Sequence, residues 1–95
     1  MNEIENIKRQ IIPVVKRNNI KRAGIFGSFV TGAFTDTSDV DILVELDNNT
    51  SLLDFVRIKF DLEDSLQRKV DLVEYKAIKP RLRMQILEEE IRIYG

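Results

Sequence analysis

Residues 27–41 read Gly-Ser-Phe-Val-Thr-Gly-Ala-Phe-Thr-Asp-Thr-Ser-Asp-Val-Asp, and a strongly apolar segment follows. The stretch opens on a Gly-Ser turn, Gly27-Ser28, and closes on a Ser-Asp-x-Asp pair that supplies Asp39 and Asp41. A later Lys-Val-Asp-Leu-Val segment adds a third carboxylate, Asp71. Open backbone amides at a helix start, backed by a hydroxyl, favour phosphates. Glycine lets backbone approach a phosphate without a Cβ clash. Converging carboxylates are costly alone, because like charges raise one another's pKa, and divalent cations reverse that balance.

Asp39 and Asp41 are two apart at the start of a strand candidate, so period-two geometry puts both on one sheet face, about 7 Å apart at the backbone. If the strand carrying Asp71 lies alongside, at about 4.8 Å, the third carboxylate joins them. Divalent ions held there would bridge triphosphate oxygens, and the protein would mainly provide position and charge. Together the parts suggest nucleotidyl transfer from a nucleoside triphosphate.

The elements that must position these groups follow from pattern. Ile4, Ile7, Ile11 and Val14 or Val15 recur at helical spacing over residues 3–18, with Pro13 predicting a kink or a break into two short helices. Asn18-Asn19 ends that segment. Residues 22–26 form a short strand candidate running into Gly27-Ser28. A helix of about two turns is expected there, with Ser28 as its cap and Gly32 at its end. Residues 39–46 alternate, with Val40, Ile42, Val44 and Leu46 on one face and Asp39, Asp41, Leu43 and Glu45 on the other. Residues 51–67 read as the best helix. Ser51 and Asp54 stand at capping-box spacing, and Leu52, Leu53, Val56, Phe60 and Leu66 supply its apolar side. Residues 69–75 are the third strand. Pro80 fits the first turn of a last helix, about 80–89, carrying Leu82, Ile86 and Leu87. Ile91–Tyr94 forms a final short strand or a tail. The order predicts one α/β domain over residues 1–95, a small mixed β-sheet with helices packed against it.

Composition narrows the chemistry. The 95 residues carry a formal net charge of −1, which provides no global pull toward nucleic acid. The chain has no cysteine and no histidine, so a metal site must use oxygen ligands, which suit magnesium or manganese. No segment approaches the roughly 20 apolar residues of a membrane span, and the N-terminus lacks the basic and apolar regions of a signal peptide. A cytoplasmic location is expected. An EF-hand fails because Val40 would fall at its fifth position and no glycine at its sixth. A P-loop lacks its Gly-Lys-Ser/Thr ending. Lys79, Arg81 and Arg83 form a local basic group near the last helix, read as a solvated face ahead of a phosphate or partner site. Of Phe26, Phe29 and Phe34, at least two are expected in the core rather than around a base.

The joint pattern of Gly27-Ser28, Ser38-Asp39-Val40-Asp41 and Asp71 resembles the nucleotidyltransferase superfamily related to DNA polymerase beta. Its minimal nucleotidyltransferase branch, the MntA-like antitoxins of HEPN/MNT toxin–antitoxin pairs, is the most similar. The resemblance extends over nearly the whole chain, including the Ile-Leu-Glu-Glu-Glu-Ile ending. It implies that Gly27 and Ser28 contact the nucleoside triphosphate and that Asp39 and Asp41 bind magnesium. Asp71 would be the third acidic residue, binding metal and helping to activate an acceptor hydroxyl. The implied reaction is AMP transfer from ATP to a tyrosine of a cognate HEPN toxin, an RNase silenced by the modification. Many relatives have arginine before the second glycine of this turn-helix, where this chain has Thr31. That departure motivates an alternative, a weakly active or inactive antitoxin that neutralises its toxin by binding. Lys21, Arg22 or a partner's basic residue is then a candidate substitute for the arginine. Self-association is compatible with the sequence.

Overall fold

The computed structural model describes residues 3–95. Helix α1 spans Glu3–Arg17, strand β1 Arg22–Phe26, helix α2 Ser28–Thr31 and strand β2 Val40–Glu45. Helix α3 (Leu52–Leu66), strand β3 (Val70–Glu74), a turn of 3₁₀ helix (Tyr75–Ala77), helix α4 (Pro80–Glu89) and strand β4 (Ile91–Tyr94) follow. The four strands form one mixed sheet in the order β3-β2-β1-β4. β1 runs antiparallel to both β2 and β4, and β2 runs parallel to β3, as a crossover through α3 requires. Among the described residues, no helix is long and apolar enough to cross a membrane.

One sheet face carries the main core. Ile7, Ile11, Val14 and Val15 from α1 and Ile58 and Leu62 from α3 pack onto Val40, Ile42, Val44, Ile25 and Leu72. The other face is covered only in its middle, where Leu43, Tyr75 and Ile78 form a second cluster joined by Phe26, Val73 and Ile86 of α4. The ends of that face are left for side chains that need solvent.

Two helix expectations are corrected. α1 is one continuous helix through Pro13, not two short ones. Pro13 lies on the exposed side, while the buried residues on either side of it hold the helix to the sheet. A solvent-facing carbonyl freed by proline bonds to water, and helices already curve convexly there. α3 has the predicted Ser51–Asp54 capping box, but its buried residues are Ile58 and Leu62. Leu52, Leu53 and Phe60, expected on the apolar side, are 78%, 76% and 60% exposed. α4 begins with Pro80 as predicted, yet none of its residues is fully buried. Ile91–Tyr94 resolves as a strand, not a tail.

Candidate active site

The site is assembled where β1 ends and β2 and β3 begin. Phe26 pairs with Asp41 across β1 and β2, and Asp41 pairs with Asp71 across β2 and β3. Paired residues share a face, so Asp41 and Asp71 stand side by side on the face opposite the main core. Asp39 lies one residue before β2. The turn after β1 brings Gly27 back over Asp41.

Gly27, not Ser28, caps α2, with φ 76 and ψ −148, a backbone region essentially restricted to glycine. α2 is a single turn rather than two, and it ends at Gly32, whose N–H donates to the Ser28 carbonyl. A Cβ on Gly27 would lie 2.1 Å from Asp41 Oδ2. The glycine therefore admits the carboxylate as well as leaving backbone open to a phosphate. The Ser28 N–H hydrogen-bonds to Asp41. The Val30 and Thr31 amides donate to the Gly27 carbonyl at 3.0 and 3.1 Å. Among the described residues the Ser28 hydroxyl makes no hydrogen bond, so it remains open to a ligand.

The carboxylates perturb one another. Partial burial, then the charges of Asp71 and Asp39, then a hydrogen bond with Asp71 push Asp41 up to about 6, against the pull of the Ser28 amide. Asp39 and Asp71 are exposed and Asp41 is partly buried, so the cluster opens to solvent. Among the described residues, no three acidic side chains cage an ion on their own. A cation here would need waters or substrate phosphates as further ligands.

Arg68 was not singled out from the sequence. Its Nη1 donates to the carbonyls of Thr35, Asp36 and Ser38 at 3.3, 3.1 and 3.2 Å, and its guanidinium lies 5.1 Å from the Phe29 ring centroid. It pins the loop that delivers Asp39. Phe29 is buried and stacks on Phe34, with ring centroids 4.5 Å apart. Ser38 Oγ accepts from the Thr35 N–H at 2.8 Å, closing the same loop. Neither Lys21 nor Arg22 stands in for the arginine that Thr31 replaces. Both sit at the other end of β1 from the turn, where the Lys21 N–H donates to the Glu45 carbonyl and Arg22 lies 3.9 Å over the Tyr75 ring.

A family model described as polymerase beta, nucleotidyltransferase, matches residues 9–95. The chain belongs to the polymerase beta nucleotidyltransferase family. It is 46% identical over 90 residues to a Methanocaldococcus jannaschii protein named as a candidate protein adenylyltransferase, covering 95% of this chain and 97% of that one. To the Thermococcus cleftensis protein adenylyltransferase MntA it is 36% identical over 78 residues, covering 82% and 79%. A solved candidate minimal nucleotidyltransferase superposes with a TM-score of 0.79 at 33% identity, covering 96% of this chain and 95% of that one. A solved toxin–antitoxin complex with AMP-PNP shares the fold, with a TM-score of 0.80 at 23% identity over 93% of this chain and 73% of that one. The expected fold and family are thus found, and the chain is a nucleotidyltransferase whose relatives are named protein adenylyltransferases.

Proposed function

We propose that this nucleotidyltransferase moves AMP from ATP to a protein hydroxyl, a tyrosine of a cognate HEPN-type toxin, and so acts as an antitoxin in the cytoplasm. The observation that carries the reading is the placement of Asp41 in register with Asp71 beneath the Gly27 turn. The naming of similar chains as protein adenylyltransferases supports a protein acceptor. A solved complex titled as a tri-AMPylated Shewanella oneidensis HEPN toxin with its MNT antitoxin also shares the fold.

Asp39, Asp41 and Asp71 would hold magnesium, or manganese in its place. When bound, the cation neutralises phosphate charge and draws electrons from the α-phosphorus. Asp41, which burial and its acidic neighbours push up to about 6 without a cation, would have to be ionised to act as a ligand. The Ser28 hydroxyl donates to a phosphate oxygen beside Gly27. Asp71, exposed and beside Asp41 in the sheet, takes the proton of the acceptor hydroxyl as that hydroxyl's oxygen bonds to the α-phosphorus. The bond from that phosphorus to the β-phosphate bridging oxygen breaks, and pyrophosphate leaves.

The test incubates the chain with the toxin, magnesium and ATP labelled in the α-phosphate. Label on a toxin tyrosine that disappears on chelation supports the reading, and an unlabelled toxin refutes it. A second reading, neutralisation by binding alone, is favoured by Thr31. It supplies no cation beside the turn, and its Oγ1 only reaches the Ser28 carbonyl at 3.5 Å. An occluding antitoxin would protect cells with Asp39 and Asp41 both replaced by alanine.

A further inference from the structure

The sheet face that bears Asp41 changes character toward its other end. Glu45 follows Asp41 by four residues on β2, facing the same way and roughly 13 Å further along the strand. Arg22 pairs with it in register. A cavity of about 250 Å³ opens there, and Lys21, Arg22, Lys76 and Arg83 line it together with Glu45 and Glu74. Both carboxylates already have partners. Arg22 Nε lies 3.1 Å from Glu45, and Lys76 Nζ lies 3.4 Å from Glu74. The Arg22–Glu45 contact is an ion pair without good hydrogen-bond geometry, so the buried Nε has no acceptor. Among the described residues, Lys21 and Arg83 form no ion pair. Arg83 instead donates to the Tyr75 carbonyl at 3.1 Å, which fixes its guanidinium at the rim.

Beyond Arg83 the surface turns apolar. A groove of about 450 Å³ runs along α4, lined by Pro80, Arg83, Met84 and Leu87, with Glu88 at its far end from Pro80. Met84 is 74% exposed. α4 packs through Ile86 onto the Leu43 cluster, so cavity, groove and carboxylates share one side of the sheet.

We propose that this surface docks the protein acceptor, with an acidic side chain seated among Lys21, Arg22 and Arg83 and an apolar ridge laid over Met84 and Leu87. The inference rests on the proposed transfer to a protein. Charge selects the occupant, because two uncompensated cations attract a carboxylate. The groove then favours a protein over a free nucleotide, since phosphate gains nothing from methionine and leucine, whereas exposed methionine and arginine beside an apolar centre are typical of protein interfaces. A protein held there lies across the sheet face and presents its hydroxyl to Asp71. The exposed Leu52, Leu53 and Phe60 of α3 belong to the opposite layer, the one packed on the main core.

The test compares wild type, Lys21→Glu with Arg83→Glu, Met84→Asp, and a control, Leu53→Asp with Phe60→Asp. The probe is the HEPN-type toxin, and thermal unfolding confirms that each variant folds. Lys21→Gln with Arg83→Gln replaces the charge reversal if that pair fails to fold. The docking variants are expected to raise KM for the toxin by roughly tenfold or more and to weaken direct toxin binding equally. Their slow release of AMP from ATP to water stays at the wild-type rate, and the α3 control keeps the wild-type KM. A KM and binding affinity within twofold of wild type in the docking variants, or a loss confined to the α3 control, overturns the docking surface. If the wild type binds the toxin without labelling it, the proposed reaction fails and the binding comparison still decides the surface. If it neither binds nor labels, both fall.

Discussion

Asp41 Oδ2 sits 2.1 Å from where a Gly27 Cβ would be, on a residue whose φ of 76 already excludes ordinary side chains. The turn and the carboxylate were thus fitted to each other, and a Gly27→Ala change must displace one of them. Backbone strain of this kind costs about 1–3 kcal/mol. Displacement of Asp41 also harms chemistry, and misplacement by about 1 Å can cost roughly a hundredfold. Gly27→Ala is therefore expected to lose far more transfer activity than its modest fall in thermal stability explains. Equal, small losses in both would show that the contact positions nothing.

Asp41 makes a pH-dependent prediction. Its pKa is raised from 3.8 to about 6 in the folded chain. The folded state then holds a proton that the unfolded state has released, so this group lowers stability as pH rises through that window. Asp41→Asn should stabilise the metal-free chain above pH about 6, by about 1 kcal/mol once solvent screening is allowed for, and the gain should fade toward pH about 4. Denaturation midpoints across this range check it. A gain that grows on acidification has the wrong sign for the proposed crowding.

Magnesium should act in the opposite direction. A cation that occupies the three carboxylates stabilises the folded wild type in proportion to its affinity. The rise in melting temperature on adding magnesium is expected to be larger at pH 7.5 than at pH 5, where Asp41 is protonated. It should vanish in the Asp39→Ala, Asp41→Ala variant. A pH-independent rise that survives in that variant would place the ion elsewhere.

Much of this site was legible as pattern. The alternation of residues 39–46 and the Gly27-Ser28 turn located β2 and the end of β1, and the carboxylates came with them. The Asp41–Asp71 pairing depended on β3 lying parallel beside β2, which the helix between them made the economical arrangement. Helix α3 was harder. Leu52, Val56 and Phe60 recur at helical spacing as well as Ile58 and Leu62 do, and periodicity alone does not say which stripe meets the sheet. Arg68 carries no local signature, because its carbonyl acceptors lie 30–33 residues earlier. The same holds for Glu90, one of three successive glutamates. Its side chain alone is singled out by the phenol of Tyr75 and by Arg92, 3.2 Å away.

Arg68 is a positioning residue, and its test separates position from chemistry. Arg68→Ala removes the clamp on Thr35, Asp36 and Ser38 and should lower kcat/KM roughly tenfold or more, with partial rescue by lysine. The pH profile should keep its wild-type shape, because no titrating group is removed. A shifted profile would instead assign Arg68 a direct role beside the carboxylates.

Glu90 offers a contrast remote from the reacting atoms. Its side chain is 5% exposed, and a Cβ on Gly24 would lie 1.9 Å from its Oε2. Burial and the hydrogen bond to Glu90 hold the Tyr75 phenol well above its ordinary pKa. Glu90→Ala leaves that phenol without its acceptor, while exposed Arg92 keeps its bond to the Gly95 carbonyl, and should cost about 1–3 kcal/mol of stability. Turnover of the fraction that remains folded should match wild type, as urea titration beside an activity assay would reveal.

The most direct measurement is the rate at which AMP moves from ATP to the toxin in the presence of magnesium, for wild type against Asp39→Ala with Asp41→Ala. Wild type is expected to label the toxin steadily, and a double variant that still folds and still binds the toxin to give no label above background. Labelling by that variant at the wild-type rate would contradict the role given to the carboxylates.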